Sequence, residues 1–543
     1  MSGDAVGPPA VGLGRRLVAG FATVGVWTMA SRVLGFARDV VIAATLGTGP
    51  VAEAFFVAFT LPNLFRRFFA EGAFNTAFVP MFAARVEVEG RAAARAFASE
   101  AFAALATVLI ALTLIAQLAM PWLVLALASG VAGDERFELA VAFGRVVFPY
   151  VLAISLAALL SGVLNSVHRF AAAAAAPVVL NLVLIAAVLA VAGEGVAGHL
   201  GTAGGEVTPD ALEGGTALSF GVVAAGLLQL ALVWRAAARE GLAPRLRLPR
   251  LTPAVRRLAV VAAPAALAGG VMQINLVVGR QVASHYEGAV GWLWYADRVY
   301  QLPLGVIGVA VGVVLLPTLA RHVRAGDATS ATAAVSRAAE FALVLTLPAT
   351  IALLAMPEMV VTVLFQRGAF EDGDSAATAL ALAVYAAGLP AFVLQKVLQP
   401  VFYAREDTRA PLRFALWSMV VNVAVALAGA AVFGWLAAPL GATLAAWAQL
   451  ALLWRGARRA ESRLALDDRL RRRAPRMLAA SLAMGALVWA LARWADGLGG
   501  VVEIAALAGI VAAGMAAYAL AGVVLGALDP RELLGLARRR RLD

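Results

Sequence analysis

Three features of the sequence predict an all-α polytopic membrane protein of about 14 transmembrane helices. Of its 543 residues 62% are hydrophobic, only 14% are charged, and the apolar residues fall in long runs. About 20 such residues cross the hydrocarbon core of a bilayer, and a mean hydropathy of +0.86 lies far above the soluble globular range. Cysteine is absent, which excludes disulfides, thiolate metal sites and cysteine nucleophiles. His168, His199, His285 and His322 are scattered without ligand spacing, so no metal site is expected.

In chain order, hydropathy places the spans at roughly 17–46, 51–81, 97–121, 138–166, 171–193, 217–238 and 257–284, then 289–320, 335–357, 376–403, 410–433, 437–454, 474–495 and 501–527. Residues 1–14 read as a short Gly/Pro-containing tail. The run that follows is too long for a cleaved signal peptide and lacks its small-residue cleavage site, so it is helix 1.

The net charge of +11 could suggest nucleic acid, but its distribution follows membrane topology instead. Tails and alternate loops on one side carry 33 basic residues; the other side carries three, Arg136, Arg367 and Arg493. By the positive-inside rule both termini are cytoplasmic. The loop from Gly193 to Gly215, with Glu194, Glu206, Asp210 and Glu213 and no basic residue, faces outward.

Pro62 and Pro303, Pro149 and Pro390, and Asn181 and Asn422 are each 241 residues apart and fall in equivalent spans. This predicts a duplication of six spans per half, in parallel orientation. The expected division is an N-terminal lobe over 1–250 (spans 1–6), a C-terminal lobe over 251–460 (spans 7–12), and spans 13 and 14 with a basic cytoplasmic tail over 461–543. Transporters of this build place substrate between their halves, often at discontinuous helices. Pro62, Gly72 and Pro80 mark such a break in span 2; Pro303, Gly305, Gly308, Gly312 and Pro317 in span 8; Pro390 and Pro400 in span 10.

Charge at membrane depth is the strongest functional signal. One charge at the centre of a spanning helix costs about 2.5–3.5 kcal/mol on insertion scales, so it normally faces a protein interior or a watery cavity. Span 1 contains Ser31-Arg-Val-Leu-Gly-Phe-Ala-Arg-Asp39, with Arg32, Arg38 and Asp39 in an otherwise apolar run. On an ideal helix Arg32 and Asp39 share a face while Arg38 points about 120° away, unless Gly35 lets the helix bend. Span 2 adds Glu53 near its outer end, and Arg66, Arg67 and Glu71 deeper, where Arg67 and Glu71 can pair at i,i+4. Asp297 and Arg298 open span 8, and Lys396 lies in span 10 beside Gln395 and Gln399. Arg145 and Arg280, nearer the ends of their spans, can snorkel. The balance is cationic, and arginine's planar fork suits phosphate. The ligand expected from the residues is therefore a phosphate or pyrophosphate.

The span 1 motif, Ala54-Phe-Phe-Val-Ala-Phe59, Leu61-Pro-Asn-Leu-Phe-Arg-Arg67, Ala70-Glu-Gly-Ala-Phe74, Tyr295-Ala-Asp-Arg298 and Leu315-Leu-Pro317 together resemble the MurJ (MviN) lipid II flippases of the multidrug/oligosaccharidyl-lipid/polysaccharide exporter superfamily. The resemblance implies a non-enzymatic, secondary-type transporter of the bacterial cytoplasmic (inner) membrane, acting in peptidoglycan biosynthesis, cell-wall biogenesis and cell shape. Its substrate would be undecaprenyl-pyrophosphate-linked lipid II, moved to the outer leaflet by alternating access. It also implies substrate binding by Arg32, Arg38, Asp39, Arg66 and Arg298, with Glu53, Glu71, Asp297 and Lys396 as candidate gating or supporting residues. Spans 13 and 14 would form a groove for the lipid tail. Glu53 stands where the family usually has Asp.

Membrane lipids are further partners and the cell-wall synthesis machinery a candidate one; nucleic acid is not. The alternatives are a flippase for another polyprenyl-pyrophosphate-linked glycan, or a drug or cation antiporter of the same superfamily, which should show acidic rather than basic residues at membrane depth. A membrane enzyme would need an acidic metal cluster or a positioned base, and neither is evident. No cofactor is expected. No Gly-rich Lys-Ser/Thr nucleotide motif is present, so drive falls to membrane potential or an ion gradient, the ion being unspecified.

Overall fold

The computed structural model describes residues 11–66, 73–192, 209–271, 273–459, 467–498 and 500–529. All regular structure among them is helical. The first compact unit holds α1 (Val11–Leu46), α2 (Pro50–Arg66), α3 (Ala73–Val88), α4 (Gly90–Leu127), α5 (Glu135–Val147), α6 (Tyr150–Ser166), α7 (Ala171–Ala192), α8 (Pro209–Arg239) and α9 (Pro253–Val271). The second holds α10 (Ile274–Ala283), α11 (Ala289–Arg324), α12 (Ala328–Ala355), α13 (Pro357–Phe365), α14 (Asp372–Tyr403), α15 (Arg409–Phe433), α16 (Ala437–Arg459), α17 (Asp468–Trp494) and α18 (Val501–Val524). Nine helical stretches among the described residues are long and apolar enough to cross a membrane on length and composition.

The helices account for the fourteen expected spans. Several run beyond them: α4, α8 and α12 begin about two turns before the apolar stretch, where Ala, Arg and Glu favour helix without needing lipid. Asp327 caps α12, accepting from the Ser330 N–H at 2.9 Å, and the hydrogen bonds from Ser330 hold its carboxyl below the ordinary value. Span 4 divides into α5 and α6 at Phe148–Pro149, where proline cannot donate to the preceding turn. The breaks expected in spans 8 and 10 do not occur. α11 passes through Pro303 and Pro317, and α14 through Pro390 and Pro400, as continuous helices. Tightly packed membrane helices absorb the lost backbone bond locally, so proline alone does not end them. Span 9 is expected to end at 357, and the short apolar run beyond it forms a further helix, α13, which proline at its first turn opens.

In the first unit α7 packs on α1 and α8, α2 on α5, and α3 on α4, α6 and α9. Its centre is aromatic: Phe55 and Phe56 are fully buried, and Phe55 stacks on Phe59 with ring centroids 5.6 Å apart. Gln229 on α8 ties three helices, donating to Ala176 O of α7 at 2.8 Å and accepting from the Tyr150 hydroxyl of α6 at 3.4 Å. Residues 367–369 also belong to this unit, where the Ala369 N–H donates to Ala44 O at 3.0 Å. Gly368 permits the approach: its φ is +63°, and a Cβ there would lie 2.1 Å from Ala44 O.

In the second unit α14 packs on α11, α12 and α16, and α15 on α16. Tyr295, Phe365 and Phe370 form a buried ring cluster with centroids 5.1–5.9 Å apart. α17 packs on α12 and carries α18 with it. Large apolar side chains such as Leu118 and Trp122 on α4 and Trp489 on α17 are exposed. This is the surface a lipid solvent demands.

Candidate functional site: buried guanidinium groups

Span 1 holds its charges by a device the ideal helix does not suggest. Arg38 is 6% exposed and Asp39 1%. Although the two leave the helix in different directions, Arg38 Nε and Nη2 both donate to Asp39 Oδ1, at 3.1 and 2.7 Å. Neighbouring Cα positions fix only where the side chains start, and three methylenes let the guanidinium curl back to the adjacent carboxylate. Arg38 Nη1 donates to Asn181 Oδ1 on α7 at 3.0 Å, and Asn181 Nδ2 donates to Ser31 O at 2.9 Å. Gly35 leaves room for this amide; a Cβ there would stand 3.4 Å from Asn181 Nδ2. Arg32 lies half-buried one and a half turns away and makes no hydrogen bond or ion pair with a described residue.

On α2, Arg66 is half-buried and donates through Nε to Asn63 Oδ1 at 3.3 Å, while Asn63 bonds back to Phe59 O. Arg67 and Glu71 lie outside the described residues, so their expected pairing is not described. Glu53, 1% exposed, accepts from Arg136 Nη1 of α5 at 2.8 Å, and Arg136 also holds Asp134 Oδ2 at 2.6 Å. Arg136 thus neutralises a buried carboxylate and joins α2 to α5. Glu53→Gln keeps the shape and removes the charge. It should lower stability by about 1.5–3 kcal/mol, the usual worth of a charge-assisted bond, read as a shift in thermal unfolding of the purified chain. An unshifted transition would mean the pair is dispensable.

The second unit carries a separate cationic group. Arg298 lies over the Trp294 ring at 4.5 Å from its centroid, and Arg280 of α10 lies over the same ring at 5.2 Å. Two guanidinium groups therefore share one largely buried indole. Asp297 is engaged by Gln301 and by the Tyr300 hydroxyl, and Tyr300 stacks on Tyr385 with centroids 4.9 Å apart. Arg280, expected only to snorkel, is part of this cluster. Lys396 is not: its side chain is exposed on α14, while the adjacent Gln395 is buried and donates to Ala446 O at 2.8 Å. Among the described residues no group of His, Asp and Glu is placed to hold a metal ion.

A fold of long helices does not by itself separate transporter types, and sequence relationship does. The profile of the family described as "Lipid II flippase MurJ" matches residues 42–508. The chain belongs to the lipid II flippase MurJ family. A "Probable lipid II flippase MurJ" of Rhizobium tropici is 43% identical over 530 residues, 96% of each chain. One from Rhizobium meliloti (strain 1021) is 48% identical over 517 residues, 92% of each. Among solved structures, "Lipid II flippase MurJ, inward closed conformation" superposes with a TM-score of 0.75 at 20% identity, covering 94% of this chain and 99% of that one. A "multidrug resistance MATE family transporter of the MOP superfamily" superposes at 0.63 with 14% identity, covering 79% and 94%. The family match takes in all of α17 and the first residues of α18. MurJ membership makes this a multi-pass inner-membrane transporter.

Proposed function

We propose that this chain moves lipid II, the undecaprenyl-pyrophosphate-linked peptidoglycan precursor, from the cytoplasmic to the outer leaflet by alternating access. The observation that carries this reading is the set of guanidinium groups at membrane depth, in a chain whose family and relatives bear that activity in their names. Arg32, Arg38, Arg66 and Arg298 bind the pyrophosphate, which spreads its negative charge over oxygens that arginine forks match. Asp39 positions Arg38 rather than meeting the substrate, and Asp297 supports the α11 cluster. Glu53 fastens α2 to α5. Glu71 and Lys396 support or gate the path.

No chemistry is done on the substrate. Drive comes from membrane potential or an ion gradient, since potential acts at about 2.3 kcal/mol per elementary charge per 100 mV on whatever charge moves. Both termini are cytoplasmic, which the 33 to 3 split of basic residues supports. The two six-span lobes, 1–250 and 251–460, do the work, with 461–543 receiving the lipid tail; the cell-wall synthesis machinery takes up the product.

The test is complementation of a strain depleted of its own lipid II flippase, with precursor at the outer leaflet as the readout. Wild type should restore exposure. Arg298→Ala at equal abundance should lower it about 10- to 100-fold, the value of one charge-assisted contact of about 1.5–3 kcal/mol. Full activity of Arg298→Ala would remove that residue from the site. Failure of a folded, inserted wild type would redirect the substrate to another polyprenyl-linked glycan.

A further inference from the structure

Between α8 and α9 the chain reads Gly241-Leu-Ala-Pro-Arg-Leu-Arg-Leu-Pro-Arg-Leu-Thr252, and no acidic residue occurs from Gly241 to Val271. The segment from Leu242 to Thr252 forms no helix or strand. It is nevertheless fastened at both ends to α4. Arg95 Nε donates to Ala243 O at 2.7 Å, the Arg245 N–H to Ser99 Oγ at 2.9 Å, and Thr252 Oγ1 to Glu100 Oε2 at 2.8 Å. Leu242 and Ala243 are buried beneath the first fastening.

Everything between the fastenings is open. Leu246 is 79% exposed, Leu248 85% and Leu251 89%, and Arg245, Arg247 and Arg250 are exposed among them. The face continues onto α9, where Val260 and Val261 are exposed beside exposed Arg256 and Arg257. There, Leu251, Pro253, Arg256, Arg257 and Val260 line a groove of about 410 Å³. Two carboxylates beside the segment are already engaged, Glu100 by Thr252 and Glu240 by Arg169, each at 2.8 Å.

Leucines held open with arginines at alternate positions suit neither water nor hydrocarbon. They suit the boundary between the two, where apolar side chains enter the acyl region and guanidinium groups meet phosphates. An acidic protein would match the charge but not the exposed valines of a membrane-spanning helix that continue the same face. We infer that the segment from Arg245 to Val260 is a binding site for an anionic phospholipid. Arg256 and Arg257 take the phosphodiester, Leu251 and Val260 line the acyl chain, and the tethered leucines hold the connection against the membrane surface. The site shares no residue with the guanidinium groups assigned to the precursor, and it depends on a membrane face, not on which face.

The test is native mass spectrometry of the full chain in detergent, loaded with phosphatidylglycerol or phosphatidylcholine. Wild type should retain phosphatidylglycerol preferentially. Arg256→Gln with Arg257→Gln should reduce that retention about 30-fold, the combined effect of two juxtamembrane basic residues, and abolish the preference. Arg471→Gln with Arg472→Gln, equally exposed on α17, and Arg298→Ala should leave it unchanged, which separates this site from general surface charge and from the precursor site. Millimolar inorganic pyrophosphate should not displace the lipid. Equal retention of both lipids, equal loss from the α17 pair, or displacement by pyrophosphate would each overturn the assignment. Leu246→Ser with Leu248→Ser and Leu251→Ser should weaken adsorption to phosphatidylglycerol vesicles several-fold; unchanged adsorption would show that the leucines do not enter the membrane.

Discussion

Alanine at Asp39 is expected to abolish transport and to lower stability by about 3–5 kcal/mol, the loss that follows when one partner of a buried ion pair is removed. The reason is local. Arg38 has a side chain 8% exposed, and two of its three nitrogens are satisfied by Asp39 Oδ1. Without the carboxylate a guanidinium is left in an apolar helix bundle with one amide partner, Asn181. Replacing both residues, Arg38→Leu with Asp39→Leu, should recover most of the stability, because apolar substitution of a whole buried pair is often neutral or stabilising. Transport should stay absent in the double variant, since the guanidinium proposed to meet the pyrophosphate is gone. Thermal unfolding and the complementation readout together decide the matter. A stable double variant that transports would show that the pair serves only the fold.

Alanine at Glu340 is expected to have the second-largest effect, confined to the C-terminal pair of helices. Glu340 on α12 accepts from Arg469 Nε at 2.9 Å and Nη2 at 3.1 Å, and from Arg473 Nη1 at 2.6 Å. One carboxylate thus neutralises two arginines of α17. Beside it the Asp467 N–H donates to Ser336 Oγ, and Asp467 caps α17. Removing the carboxylate should cost about 2–4 kcal/mol of local stability, less than a fully buried pair because Arg469 is 28% exposed. Hydrogen exchange in α17 and α18 should rise by roughly 30- to 1,000-fold at that cost, while α15 and α16 stay protected. Uniform change across both regions would mean that the clamp is not local.

The parts of this architecture that the sequence discloses are those where one residue alone is anomalous. Arg32, Arg38 and Asp39 stand out because charge in an apolar run is expensive wherever its partner lies. What stays hidden is partnership. Glu53 meets Arg136 across 83 residues and Arg38 meets Asn181 across 143, and no local pattern encodes either distance. Asn181 shows in sequence only as one half of a repeated pair, yet in the structure it braces the first span. Its counterpart Asn422 lies elsewhere in its own unit, where a Cβ on Gly441 would come 2.6 Å from its Oδ1. Arg280 sits one turn from a helix end, which by position alone reads as snorkelling; only Trp294 draws it into a cluster with Arg298. Proline misleads in the opposite sense, since α11 and α14 continue through residues that would end an isolated helix in water.

The clamp at Glu340 has a consequence for biogenesis. Arg469 follows Glu340 by 129 residues. At a synthesis rate of about 5–20 residues per second, roughly 6 to 26 s pass between the synthesis of the carboxylate and that of its first arginine. Three further spans, α14, α15 and α16, are made in that interval. α12 therefore enters the membrane with an acid whose counter-charge does not yet exist, and its seating is completed only when the last helical pair docks. A chain terminated before α17 would keep every helix from α1 to α16 and still carry an uncompensated carboxylate on α12.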